Sequence, residues 1–383
     1  MTRLRVGNGI ALLLGAVALS LGAGPTAAQA AVHCPLRDQS YSTRSPLIDI
    51  LLKPEAKAVL ERDAPGLLKR VPKMFTTTTV PTFASIMTIR TLYGFAAPNA
   101  ALDVLDRDLA ALRITAADRR SRCARYDTNR PKIELPAGKP AILLFEKMTG
   151  YRDTPSVEAA HAALLAMAGR KGWTMVATDQ GGAITPAILK RFDAVIWNNV
   201  SGDVLTIEQR EALRHYVETG GGFLAFHGSA GDPVYFWDWY VDTLIGARFI
   251  GHPMGPQFQD AQIRVDDPAN AITKTLAPGW TMNDEWYSFR PGARTGGAHV
   301  LLTLDESSYS PKGFGGQDLR MGDHPIAWTR CVVNGRSFYS AIGHRPESYS
   351  EPHHLELLEN AITWVTGRGA TRCERGREVA NAR

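Results

Sequence analysis

The sequence predicts an α/β protein: a doubly wound, mostly parallel sheet preceded by a small N-terminal helical module. Three observations carry this. Short apolar runs alternate with helical patterns from Ala141 onward, as βαβ units require. The run Phe223 to Phe226, led by three glycines and stopped at His227-Gly228, is wholly apolar, the mark of a strand buried on both faces. Residues 31–135, by contrast, read as mostly helical.

The first thirty residues carry Arg3 and Arg5, an apolar stretch from Ile10 to Leu21, and Ala28-Gln29-Ala30. A basic start, an apolar segment too short to span a bilayer and an A-x-A site define a secretory signal peptide over 1–30, cleaved after Ala30. No lipobox precedes Cys34, and no other stretch is long and apolar enough to cross a membrane. The mature protein is therefore expected in the periplasm or outside the cell. Four cysteines, none in a CxxC pattern, then suggest disulfides. Three pairings are open. Cys34–Cys123 with Cys331–Cys373 is favoured, because each would fasten one end of the mature chain. A net charge of +5 over 383 residues, with no basic run, argues against nucleic acid as a partner.

Within the module, an amphipathic run from Ser45 to Leu60 has Pro54 and Glu55 suited to a helical first turn. Further helices are expected over Phe83–Tyr93 and Leu102–Leu112, with Thr76–Thr79 as loop. No cluster of chemical groups occurs here, so the module is expected to pack, or to contact a protein partner or a second copy. Asp127–Pro140 reads as a linker, and 368–383 as a tail.

The main domain, 140–367, opens with a strand from Ala141 and a helix over Ser156–Lys171. A strand at Trp173–Thr178, a short helix at Pro186–Lys190 and an apolar strand over 193–203 follow. Thr206 and Gln209 form a capping box for the helix Ile207–Glu218, which leads into Phe223–Phe226. Right-handed crossovers put the loops after Phe145, Val200 and Phe226 on one sheet edge, where open sheets keep their ligands. Those loops offer Tyr151, Arg152, Asp203, His227 and Asp232. The His227 side chain is expected to face a cleft and not the core. Trp237, Trp239 and Tyr240 precede a short helix, Gly251-His252-Pro253 lies in a loop, and strands follow near 261–265 and 299–305. His324 to Val333 and Arg336 to His344 read as a hairpin about an Asn334-Gly335 type I′ turn, which sets His324 opposite Arg345 and beside His344. An amphipathic helix over Pro352–Val365 closes the domain.

His227, His252, His324, His344 and the Asp284–Glu285 pair thus gather near one edge. His227, His252, Glu285 and His344 could hold a divalent metal, Zn or Mn, with an open position. Without metal, His227, Asp232, Glu285, His324 and His344 could serve as general acids and bases. Tyr151, Arg152, Asp203, Trp237, Trp286 and Tyr287 are candidates to contact a small carbohydrate, although Trp and Tyr are as common in cores. No nucleotide is expected.

The segments EKMTGYR, NNVSGDVLT, GGGFLAFHGSAGD, WDWY, GHP, DEWY, HPIAW and GHRPESYSEP occur in this order. On them, residues 140–367 resemble the ThuA-like (trehalose utilisation) family. The resemblance implies a flavodoxin-like sheet related to class I glutamine amidotransferases. It also implies carbohydrate metabolism, with lyase, hydrolase or isomerase chemistry on oxidised sugars such as 3-keto-glycosides. Many family members carry a histidine where this chain has Asp153. The cysteine nucleophile of the related amidotransferases is missing, since Cys331 falls within the hairpin strand, so that chemistry is excluded. The competing reading is a non-catalytic carbohydrate-binding or scaffold module of the cell envelope.

Overall fold

A computed structural model describes residues 32–96 and 102–367. The expected signal peptide and tail, with Cys373, lie outside them. The N-terminal segment holds α1 (Leu47–Leu51), α2 (Pro54–Asp63), α3 (Leu67–Arg70), α4 (Ile89–Ala96), α5 (Leu102–Ala110) and α6 (Ala116–Cys123). These helices have their own apolar core, including Leu47, Ile50, Leu60, Leu92, Leu105 and Leu109. The single helix expected over 83–93 is two elements, a 3₁₀ turn at Phe83–Ser85 and then α4. The reason is local: the Thr82 hydroxyl accepts from Ala84 N–H at 3.2 Å and that of Thr88 from Thr91 N–H at 3.1 Å, so each threonine starts a new turn. Helix α6 was not anticipated, although Thr115 and Asp118 form its capping box. Cys34 and Cys123 are joined, tying residues 89 apart at the start and end of the segment.

The remainder supplies β1 (Ala141–Phe145), α7 (Thr154–Lys171), β2 (Thr174–Thr178), α8 (Pro186–Leu189), β3 (Ala194–Asn198), α9 (Ile207–Glu218), β4 (Gly222–Phe226), β5 (Phe249–Gly251), β6 (Phe258–Val265), β7 (Gly279–Glu285), β8 (Ser288–Phe289), β9 (His299–Leu304), β10 (Pro325–Val332), β11 (Gly335–Ser340) and α10 (Pro352–Val365). Nine strands form one sheet in the order β2-β1-β3-β4-β11-β10-β9-β6-β7. β2, β1, β3, β4 and β11 run parallel. β10, β9, β6 and β7 extend the sheet antiparallel. Every residue of β1, β3 and β4 is buried, because helices cover both faces of a doubly wound sheet and alternation has no place there. Among the described residues, no helix is long and apolar enough to cross a membrane.

The hairpin register differs from expectation by two residues. Val332 pairs with Gly335, so Val333-Asn334 make the turn, and Val333 takes φ 59°. Gly335 is needed for space instead: a Cβ there would run into the backbone carbonyl of Val217. Trp239 also departs from expectation by lying inside a helical turn, a π-helix over Trp239–Ile245.

The helical segment packs on the carboxyl edge of the parallel strands. Thr82 N–H donates to Thr149 O at 3.1 Å, Tyr126 O–H to Asp203 at 2.7 Å and Gln209 Nε2 to Asp127 O at 2.7 Å. The 127–140 stretch is held as well. Asp127 accepts from the Gly181 and Gly182 amides at 3.0 and 3.1 Å, and Ile133 and Leu135 pack against the main core.

Candidate active site

His227 is the first residue beyond β4, and its backbone turns there with φ 40°. A non-glycine residue rarely holds such a φ without support from its surroundings. That support is visible: Tyr339 O–H donates to His227 O at 2.8 Å and Gly228 N–H to Asn199 Oδ1 at 3.0 Å. The imidazole lies flat on Tyr287, with ring centroids 4.1 Å apart. Its Nδ1 is 2.9 Å from Ala341 O. A carbonyl only accepts, so Nδ1 carries a hydrogen and Nε2 is turned inward, toward His344 and Glu285.

β11, the parallel neighbour of β4, leads to His344. His227 Nε2 lies 3.1 Å from His344 Nδ1, and Glu285 Oε2, at the end of β7, lies 2.9 Å from His344 Nδ1 and 3.4 Å from His227 Nε2. One donor atom from each of these three residues falls within 4.8 Å of the others. The outer oxygen of Glu285 is 3.1 Å from His252 Nδ1 and accepts from Gln257 Nε2 at 2.5 Å. His252 therefore adjoins the triad through Glu285.

Two carboxylates hold this arrangement. Asp284 Oδ2 accepts from Gly343 N–H at 2.8 Å and Ser348 O–H at 2.7 Å, and Oδ1 from the amides of His344 and Arg345 at 3.1 and 3.3 Å. Asp153 Oδ2 stands 3.7 Å from His344 Nε2, and Ser156 O–H bridges Asp153 and the His344 carbonyl. Asp153 is thus beside the imidazole.

The electrostatics follow from this geometry. Burial alone would raise the Glu285 carboxyl, but hydrogen bonds from His227 and His344 and the charge of His252 hold it well below the carboxylate range. Burial pulls His344 down, yet its hydrogen bond to Glu285 and the charges of Glu285 and Asp153 leave it raised. Glu285 and His227 are almost sealed, at 1% and 4% side-chain exposure, whereas His344 and His252 keep 15% and 25%. The accessible rim is therefore formed by His344, His252 and Asp153.

Other candidates are placed elsewhere. His324 does not join His344. Its ring nitrogens lie 2.8 Å from Glu306 and 2.9 Å from Tyr287 O, and its side chain is fully buried. Asp232 accepts from Ser201 O–H at 2.6 Å and Gly202 N–H at 2.7 Å, bracing that loop, and burial pushes its carboxyl up to about 7. Asp203 is occupied by Arg210 at 2.6 Å and by Tyr126. Trp286 is fully buried, with its indole N–H on Gln259 O at 2.8 Å, and so offers no face to a ligand. Trp237 packs in an aromatic group with Trp239 and Tyr240, beside the Arg210 guanidinium. Arg152 has Met148 Sδ 3.8 Å from its Nη1. Tyr151 is 38% exposed next to Asp153, and Tyr287 is the floor on which His227 rests. Gln257 was not anticipated, and no sequence motif marks it.

The ThuA family, described as trehalose utilisation, matches residues 141–365. A protein described as ThuA-like from Bacteroides uniformis is 25% identical, with 62% of this chain and 95% of that chain covered and a TM-score of 0.52. A second, from Parabacteroides merdae, is 17% identical over 61% and 92% of the two chains, with a TM-score of 0.47. No curated protein matches. The family match spans more than half of the chain, and the chain belongs to the ThuA family, whose description lies in carbohydrate metabolism.

Proposed function

We propose that this chain is an exported carbohydrate-active enzyme that moves a proton next to the carbonyl of an oxidised sugar, with a divalent metal in the His227–Glu285–His344 cluster. The convergence of three donor atoms within 4.8 Å, backed by fixed partners, is the observation that carries this reading. The donor set suits Zn²⁺ or Mn²⁺. The Ala341 carbonyl fixes the His227 tautomer, and Gln257 and His252 hold the outer Glu285 oxygen, as outer partners of metal ligands do. When bound, the metal would polarise the sugar carbonyl as a Lewis acid.

The proton falls to His252. Its Nδ1 faces two acceptors, Pro253 O at 3.0 Å and Glu285 at 3.1 Å, so Nδ1 keeps a hydrogen and Nε2 is the nitrogen left for the substrate. On a 3-keto-glycoside, His252 Nε2 takes the C2 proton and the C2–H electron pair becomes the enolate. The enolate then expels the C1 oxygen, which takes the proton from His252 as the C1–O bond breaks, giving elimination, or is reprotonated by His252, giving isomerisation. Asp153 steadies His344 from the solvent side.

The test is metal analysis of purified protein combined with C2–H exchange of 3-keto-trehalose in D₂O, followed by NMR. Bound Zn or Mn at about one per chain and C2 exchange abolished by chelation are expected. Protein that takes up no divalent metal and exchanges no C2 proton overturns the reading and favours a carbohydrate-binding module.

A further inference from the structure

The helical segment lies outside the 141–365 family match, yet it meets the chain at the rim of the site. The contact is the turn around Phe83. Thr82 anchors it, donating N–H to Thr149 O at 3.1 Å and O–H to Thr77 O at 2.9 Å. Glycine at 150 lets it approach, since a Cβ there would come within 2.7 Å of Ile86 Cγ2. Phe83 then stacks on Tyr151, with centroids 4.6 Å apart and planes 24° apart, and Phe75 meets Phe83 edge-on at 5.1 Å.

Tyr151 keeps 38% of its surface exposed despite this stack. Its loop reaches the cluster. Asp153, two residues on, is 3.7 Å from His344 Nε2, and after burial the charges of Asp153 and Glu285 raise the Tyr151 hydroxyl. Phe258 flanks His344 from the sheet side at 5.2 Å and is likewise 38% exposed. A large aromatic face held rigid by its neighbour, beside polar groups, is what a sugar ring's apolar face needs.

We infer that the N-terminal helical segment completes the substrate site. Phe83 is a positioning residue that holds Tyr151 as a platform for the second pyranose ring of a disaccharide, next to the ring handled by His252 and His344. This rests on the carbohydrate reading above and deepens it.

Binding calorimetry with trehalose and with glucose as probes tests it without requiring turnover. Wild-type protein should prefer trehalose roughly tenfold, as one added aromatic contact allows. Phe83→Leu, which keeps the apolar volume, should bring the trehalose-to-glucose ratio close to one, Tyr151→Ala should do the same from the other side of the contact, and Phe83→Tyr should restore the preference. A merely structural Phe83 would change the melting temperature and leave that ratio alone. A wild-type ratio of one, or a preference that survives both Phe83→Leu and Tyr151→Ala in folded protein, overturns the inference. Metal content and C2 exchange, measured on the same wild-type preparation, decide the acid–base reading separately.

Discussion

Two histidine–glutamate pairs in the second half of the chain are built alike and surrounded differently. His324 and Glu306 are 2.8 Å apart, and His344 and Glu285 are 2.9 Å apart. Around the first pair every group is matched locally: the second His324 nitrogen meets Tyr287 O, and Glu306 accepts from the amides of Met321 and Gly322 at 2.6 and 3.0 Å. Around the second, one carboxylate is shared by His227, His252, His344 and Gln257, and the His344 side chain stays 15% exposed where that of His324 is at 0%. Residue type does not separate a strut from a candidate site. Convergence with an open edge is what marks the candidate.

The sharpest way to break this comparison is to remove one member of each pair. Glu285→Gln should lower C2 exchange by at least about a hundredfold while the protein stays folded. His324→Ala should do the reverse, costing on the order of 3 kcal/mol because Glu306 and the Tyr287 carbonyl lose a buried partner, with exchange per folded molecule retained. Chemical unfolding and NMR exchange on one preparation read both. Loss of exchange in fully folded His324→Ala protein would erase the distinction.

Metal stabilisation gives a smaller, independent contrast. Zn²⁺ or Mn²⁺ at about a hundred times its dissociation constant should stabilise wild type and His324→Ala by about 2.7 kcal/mol and leave Glu285→Gln unshifted. Thermal scans with and without the ion check this, and equal shifts in all three proteins would move the metal elsewhere.

The smallest effect concerns pH. The Asp232 carboxyl, pushed up to about 7 by burial, has a folded pKa above its unfolded value of about 3.9. Its contribution to stability is therefore complete below about pH 4 and lost as pH rises through about 7. His344, also raised, acts in the same sense, fully present below about pH 6.5 and lost above it. Metal-free wild type should lose a few degrees of melting temperature between about pH 5 and pH 8, on the order of 1–2 °C for each kcal/mol in a chain of this length. Asp232→Asn, which can still pair with Ser201 and Gly202, should lose less. Matching slopes in the two proteins would remove Asp232 from the account.

The parallel half of the fold was readable because β1, β3 and β4 are buried on both faces and so carry unbroken apolar runs. His227 and His344 meet because each follows such a run and the two strands, β4 and β11, are neighbours. What could not be read has physical causes. Asn334-Gly335 looks like the turn, but Val333-Asn334 make it. The ladder ends at Ser340, the 343–344 segment is drawn to Asp284 and Glu285, and His324 is held by Glu306 and Tyr287 O, so the two histidines part. The end of a strand suggested an open position for His227, whereas Tyr287 and the 341–344 segment cover it to 3% exposure. Trp286 belongs to a residue type equally at home in cores and on sugars, and only its burial decides which. Gln257 comes from a segment with no periodic signal, and Phe83, expected inside a helix, gave no sign that it would meet Tyr151.

Asp284 has a further consequence. The successive amides of Gly343, His344 and Arg345 all point at its carboxylate, which is how backbone nests cradle phosphate and other anions. Here the anion is part of the chain, so the loop that carries His344 is folded around an internal counter-ion. Asp284→Gly would leave the cradle without its occupant, and a small carboxylate from solution should take the vacant place. Millimolar formate should then raise the melting temperature of Asp284→Gly and restore C2 exchange, and do neither for wild type. A variant indifferent to formate would mean that the 343–345 loop keeps its shape without a negative charge at its centre. If formate does rescue it, the position of His344 is set by an anion that could be supplied or withdrawn from outside.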